Sequence, residues 1–225
     1  MLLLEDLAAA REGDALAGAA VDDVTAVLES MIPLWRYPSA GASVAKLPRW
    51  GSDPQARQAR FVRNWADQRD ILAAELPPDI WQTADRLSTS LAQVAAELAR
   101  SPSRVVHADL HLDNVLFADE GPILLDWGST CAGSPAVDIF LFVSSSLPPQ
   151  DQQRHGRDLL ADLGVGSAGF DDWRRRLLCA LAGVVGWRNR PPTGNPREQA
   201  LREASLSDGR LIHALRQWDA TRALP

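Results

Sequence analysis

Residues 105–129 read VVHADLHLDNVLFADEGPILLDWGS. Short runs of β-branched and aliphatic residues alternate with histidines, carboxylates and one asparagine. The apolar runs predict strands over 105–107, 114–117 and 123–126, with ADEG as a hairpin turn between the last two. The polar set is His107, Asp109, His111, Asn114 and, seventeen residues after Asp109, Asp126.

Two chemistries compete for that spacing. In the first, His107, Asp109 and His111 alternate as metal ligands and Asp126 completes a hydrolytic site. A zinc site wants a further His or Cys nearby, and the remaining histidines, His155 and His213, lie far downstream on expected helices. The second is phosphoryl transfer. It needs a base beside a hydroxyl and a few oxygen ligands for Mg²⁺, whose other positions are filled by phosphates and waters. An Asp in a loop, an Asn five residues on and an Asp before a Gly meet that need in order. Asp109, Asn114 and Asp126, in the string DWG, have that order and spacing.

With GSPAVDI at 133–139, these strings resemble the aminoglycoside phosphotransferase and choline kinase-like group of the protein-kinase-like superfamily. That group tends to use His-Gly-Asp-x-His-x-x-Asn; here Ala108 stands at the Gly. The resemblance implies a protein-kinase-like C-terminal lobe, with ATP or GTP and Mg²⁺ as cofactors and a small-molecule hydroxyl as acceptor. It implies Asp109 as catalytic base, and Asn114 and Asp126 as metal ligands. His107, His111 and Asp138 become supports of the catalytic loop, Asp138 through hydrogen bonds to its backbone. The opening LLLEDL resembles the group's hinge strand, which places Leu4, Glu5, Asp6 and Leu7 against adenine.

Outward from this centre the pattern is helical. Val24, Val27, Leu28 and Met31 recur at helix spacing over 21–37, with Pro33 as a kink or end. Residues 38–54 hold three prolines and two glycines and read as a loop. Helices are expected over 55–76 and 79–100, separated by LPPD, and again over 136–146, 150–163, 168–188 and 196–218. The fold class is mostly α with a small β-hairpin (α+β). The expected organisation is a hinge strand at 1–7, helices over 19–100, catalytic loop and metal-motif hairpin over 103–130, and a helical substrate-side region over 136–225.

Bulk properties agree with such a protein. With 225 residues, 46% hydrophobic and 23% charged, the chain can bury a sizeable core. A net charge of −6 argues against broad nucleic-acid binding. No run approaches the ~18 apolar residues of a membrane span. Cys131 and Cys179 make no disulfide framework and read as buried thiols of a reducing compartment, so a cytoplasmic location is expected.

One half of a kinase is harder to find. The phosphate-pairing strand lysine of such enzymes precedes the hinge, whereas the sole lysine, Lys46, follows the hinge-like segment. Gly164, Gly166 and Gly169 match Gly-x-Gly-x-x-Gly, but they follow a helix-like run and the metal motif, and read as a helix cap and linker. The expectation is a hinge and C-lobe without the N-lobe, inactive by itself or a silent binding module. It also predicts self-association through the apolar surface on which an N-lobe would sit.

Acidity is uneven. Residues 1–146 carry 20 Asp/Glu against 11 Lys/Arg (−9), and residues 147–225 carry 9 against 12 (+3). This disfavours a polycationic acceptor, although Arg174–176, Arg188, Arg190 and Arg197 read mainly as solvated helix faces. Trp173, Trp187 and Trp218 read as core packing.

Overall fold

In the computed structural model, residues 9–36, 46–163, 167–207 and 209–225 are described. The hinge candidates Leu4, Glu5, Asp6 and Leu7 lie outside them, as do residues 164–166 of the glycine match.

Helix α1 (Val21–Arg36) buries Val24, Val27, Leu28, Met31 and Trp35 on one stripe. Pro33 stays inside it, contrary to a break. The rung it removes is to the carbonyl of Glu29, and both residues are exposed, so water can take that carbonyl. Helices α2 (Pro54–Glu75) and α3 (Pro78–Arg100) form an antiparallel pair. Asp53 caps α2 through the amide of Ala56 (2.8 Å), and prolines open both helices, where a missing N–H costs nothing. Gln58 of α2 locks the pair. Its side-chain oxygen accepts from the Ala92 amide (2.7 Å) and its nitrogen donates to the Ser88 carbonyl.

Two small sheets carry the loops. Strand β2 (Arg104–Val106) pairs antiparallel with β5 (Cys131–Gly133), which the sequence reading had not foreseen. Strands β3 (Val115–Ala118) and β4 (Gly121–Leu124) form the expected hairpin around Asp119 and Glu120, with Gly121 at φ 127° closing the turn. A further strand, β1 (Arg11–Glu12), extends that hairpin to three strands in a stretch expected to be linker. Its neighbour Gly13 crosses the loop so closely that a Cβ there would lie 2.2 Å from the Leu112 carbonyl oxygen.

Helix α4 (Ala136–Ser146) is central, with Val137, Ile139, Phe140, Phe142 and Val143 all buried. It is followed by α5 (Pro149–Asp162), α6 (Ser167–Arg188), α7 (Pro196–Ser207) and α8 (Arg210–Gln217). The expected single helix over 196–218 is two, because Gly209 takes φ 77° and turns α8 back onto α4 and α5. Helix α6 packs on α2, α3 and α4, with Trp173 edge-on to Phe140 (4.6 Å). Trp173 and Trp218 are core residues, as expected.

Arg190 is exposed as expected, but several of the other arginines are not solvated faces. Arg176 is buried, Arg175 pairs with Glu97 (3.0 Å) and Asp172 (3.3 Å), and Arg188 pairs with Glu75 (2.6 Å). Buried Arg210 ties Ala15, Leu16 and Ser145 together by their carbonyls. The helical C-terminal region thus grips the segment after β1, because folding brings guanidinium groups to carbonyls that lack other partners. Among the described residues no helix is long and apolar enough to cross a membrane.

Candidate functional site

Strand β2 delivers the chain to His107, where it turns sharply. Ala108 takes φ 67°, a left-handed conformation that strains a residue with a Cβ. The turn survives because Asp138, at the start of α4, holds both sides of it. Its Oδ2 accepts the His107 amide (2.9 Å) and its Oδ1 the Ala108 amide (2.8 Å), with the Trp35 indole N–H at 3.3 Å. Asp138 is fully buried. Desolvation pushes its carboxyl above the ordinary range, against the pull of those three donors.

His107 is also fully buried, and both ring nitrogens are committed. Nε2 lies 2.8 Å from the Leu125 carbonyl, which can only accept, so Nε2 carries the proton. Nδ1 then accepts the Asp109 amide at 3.4 Å. The ring lies 4.6 Å from that of Trp127, tilted by 50°, and the Trp127 indole donates to the Leu124 carbonyl (2.9 Å). Such a histidine fastens the loop to the hairpin and has no nitrogen left to ligate a metal.

Asp109 follows with its side chain half exposed. Its carbonyl accepts from Asn114 Nδ2 (3.0 Å), the bond that closes the loop. The same Nδ2 lies 3.1 Å from His111 Nε2, so that nitrogen accepts and the His111 proton is on Nδ1. With Nδ2 spent on both, Asn114 Oδ1 has no donor among the described residues and is the atom left for a cation.

Asn114 precedes β3, and its carbonyl accepts the Leu125 amide (2.9 Å). The hairpin register therefore sets Asp126, one residue after Leu125, at the same end as Asn114. Asp126 is exposed and left-handed (φ 51°), a conformation Asp tolerates better than most residues. Its Oδ1 accepts the Gly128 amide at 3.3 Å. Asp109 and Asn114 thus share one loop with His107 and His111, Asp126 sits at the adjoining hairpin end, and Asp138 braces the loop from α4. Two oxygens, one amide and one carboxylate, fit a hard cation that keeps waters and phosphates as its other ligands. No group of three or more His, Cys, Asp or Glu side chains among the described residues is placed to hold a metal, which removes the alternating His-x-Asp-x-His cage.

Asp113, in the same loop, ties it to two segments distant in sequence. It accepts the Ala15 amide (2.8 Å) and a two-pronged contact from Arg197 of α7 (2.7 and 3.0 Å), which also reaches Asp14 (2.9 Å). Burial raises the Asp113 pKa, but the Arg197 and Ala15 hydrogen bonds outweigh it and leave the carboxyl below its ordinary range. No sequence signal pairs residues 84 positions apart. The two thiols are buried, and burial pushes Cys131 up to about 11 and raises Cys179.

No curated protein matches the chain. The sequence model of the phosphotransferase enzyme family (APH) matches residues 5–179, a span that takes in the His107–Asn114 loop, the Asp126 hairpin and Asp138. The loop geometry and that match agree, and the chain belongs to the phosphotransferase enzyme family.

Proposed function

We propose that this chain carries the catalytic loop and metal motif of an ATP-dependent kinase acting on a small-molecule alcohol. The observation that supports it best is the Asp109–Asn114 closure, which commits the Asn114 amide nitrogen, frees its amide oxygen and leaves the Asp109 carboxylate half exposed.

In this reading the acceptor hydroxyl donates to the Asp109 carboxylate. As the acceptor oxygen bonds the γ-phosphorus, the bond from that phosphorus to the β–γ bridging oxygen breaks. The hydroxyl proton passes to Asp109 and ADP leaves. Asn114 Oδ1 and Asp126 would hold Mg²⁺, which when bound neutralises charge on the phosphate oxygens. His107 and Asp138 keep the loop in its strained shape and take no proton. His111 orients the Asn114 amide. The buried, free thiols suit a reducing cytoplasm.

The single lysine, Lys46, lies after the hinge-like segment and does not serve as the phosphate-pairing lysine. In this reading turnover depends on an N-lobe that carries such a lysine, and the 225 residues alone are expected to leave MgATP unhydrolysed and to self-associate. Phosphate NMR on a panel of alcohols tests this with the chain joined to a family N-lobe. Transfer that Asp109→Ala abolishes while nucleotide binding survives supports the role of Asp109. Transfer unchanged in Asp109→Ala refutes it, and the fold is then a binding module.

A further inference from the structure

Arg176 of α6 is only 8% exposed, and Asp138 and Asp109 are the carboxylates near enough to act on its charge. Nε donates to the Val137 carbonyl (3.2 Å), and among the described residues no side chain forms an ion pair with the guanidinium. Two of the nearby carboxylates are engaged elsewhere. Asp172 is taken by Arg175 and Ser134, and Asp138 by His107, Ala108 and Trp35. Instead the Arg176 guanidinium lies 5.8 Å from the ring centre of Trp50, and a second cation, Arg57 of α2, lies 4.7 Å from the same ring. A guanidinium largely removed from water is costly to bury with one hydrogen bond, and a like charge nearby adds to that cost. An indole face offsets only a part of it.

The place is next to the catalytic loop by two routes. Val137, which receives Arg176, is followed by Asp138, whose carboxylate holds the amide of Ala108, the residue before Asp109. Trp50 donates its backbone N–H to Ala132 (2.8 Å) on β5, and β5 pairs with β2, which ends one residue before His107. Trp50 and Arg57 are half-buried, so part of each side chain reaches solvent.

We infer that Arg57, Trp50 and Arg176 form the subsite that selects the acceptor, and that the acceptor is an alcohol carrying an oxyanion, a carboxylate or a phosphate. The proposal rests on the kinase reading for the word acceptor. Binding of the oxyanion does not depend on it. The guanidinium groups take the oxyanion by charge-assisted hydrogen bonds, the indole covers the carbon skeleton, and the hydroxyl is directed toward Asp109.

The test is calorimetric titration of the 225-residue chain, without nucleotide, using glycerol 3-phosphate, glycerate, glycerol, ethanolamine and inorganic phosphate. Glycerol 3-phosphate, glycerate or both are expected to saturate a site, and the stronger of the two tells phosphate from carboxylate. Glycerol and ethanolamine are expected not to bind. Arg57→Gln, at a half-buried position where the fold tolerates the change, is expected to weaken the anionic alcohols by about tenfold or more. Arg63→Gln, which removes an exposed charge from the same helix, is expected to change them less than about twofold. Arg176→Met, if it folds, abolishes binding. Anionic alcohols that bind no better than glycerol overturn the proposal, as does binding indifferent to Arg57→Gln. Inorganic phosphate binding as tightly as glycerol 3-phosphate means an adventitious ion only and also overturns it. Oxyanion binding without phosphoryl transfer by the N-lobe-joined protein would remove the kinase reading alone. Transfer to a neutral alcohol, unaffected by Arg57→Gln, would remove the subsite alone.

Discussion

The Asp138 carboxylate spans two consecutive backbone amides, with Oδ1 2.8 Å from the Ala108 nitrogen and Oδ2 2.9 Å from that of His107. With the buried His107 ring, it holds the loop in its left-handed turn. An asparagine would keep the shape but turn an N–H toward one amide. Asp138→Asn is therefore expected to cost about 2–4 kcal/mol of stability, read as a lower urea midpoint. The amides of His107 and Ala108 should lose hydrogen-exchange protection first. Unchanged protection there would show that the loop is held by other contacts.

Ala108 sits at φ 67°, where its Cβ costs about 1–2 kcal/mol. Ala108→Gly relieves that strain but loosens the unfolded chain by about 0.4–1 kcal/mol. The net expectation is a gain of about 0.5 kcal/mol, seen as a small rise in Tm. A fall in Tm would mean that the Ala108 methyl packs more favourably than its backbone is strained.

Arg197 holds Asp14 and Asp113 together at 2.9 and 2.7 Å. The Arg197 hydrogen bond depresses Asp14, and for Asp113 burial works upward but the Arg197 and Ala15 bonds prevail. A depressed carboxylate contributes stability above its unfolded pKa of about 3.9 and loses it as pH falls through the folded value. Arg197 and Asp14 are nearly half exposed, so screening limits the effect of Arg197→Ala to about 0.5–1 kcal/mol near neutrality. The difference between wild type and Arg197→Ala should vanish in acid below the carboxylate range. A difference that persists there would assign the loss to packing.

Gly13 has no room for a side chain, since its Cβ would meet the Leu112 carbonyl oxygen at 2.2 Å and the Val115 carbonyl oxygen at 3.1 Å. Both atoms are backbone of the loop and of β3. Gly13→Ala is expected to cost about 1–3 kcal/mol, as overpacking does, and to loosen the β1–β3 pairing. Chemical denaturation gives the cost, and the amide of Gly13, bonded to Val115, reports the pairing.

Much of the loop was legible because its chemistry is local. Asp109 to Asn114 is one turn of chain, and a two-residue turn between β3 and β4 dictates that Asp126 returns beside Asn114. The long helices were legible too, since Val24 through Met31 and Ile80 through Leu98 repeat at helical spacing. Strands β1 and β5 were not. Each is two or three residues long, and each is a strand only because a partner lies alongside, at Phe117 for Arg11 and at Cys131 for Val106. The break at Gly209 was hidden because the apolar pattern continues across it.

The arginines mark the boundary most clearly. Residue types and their spacing, by themselves, carried the resemblance to a phosphotransferase family, marked most of the helices and showed that the C-terminal part is basic. Whether an arginine there faces water, clamps Asp113 or sits buried over Trp50 was decided only by the tertiary structure. Spacing along a chain encodes contacts a few residues apart. The partners of Arg176 and Arg197 come from elements that meet only after the helices have packed.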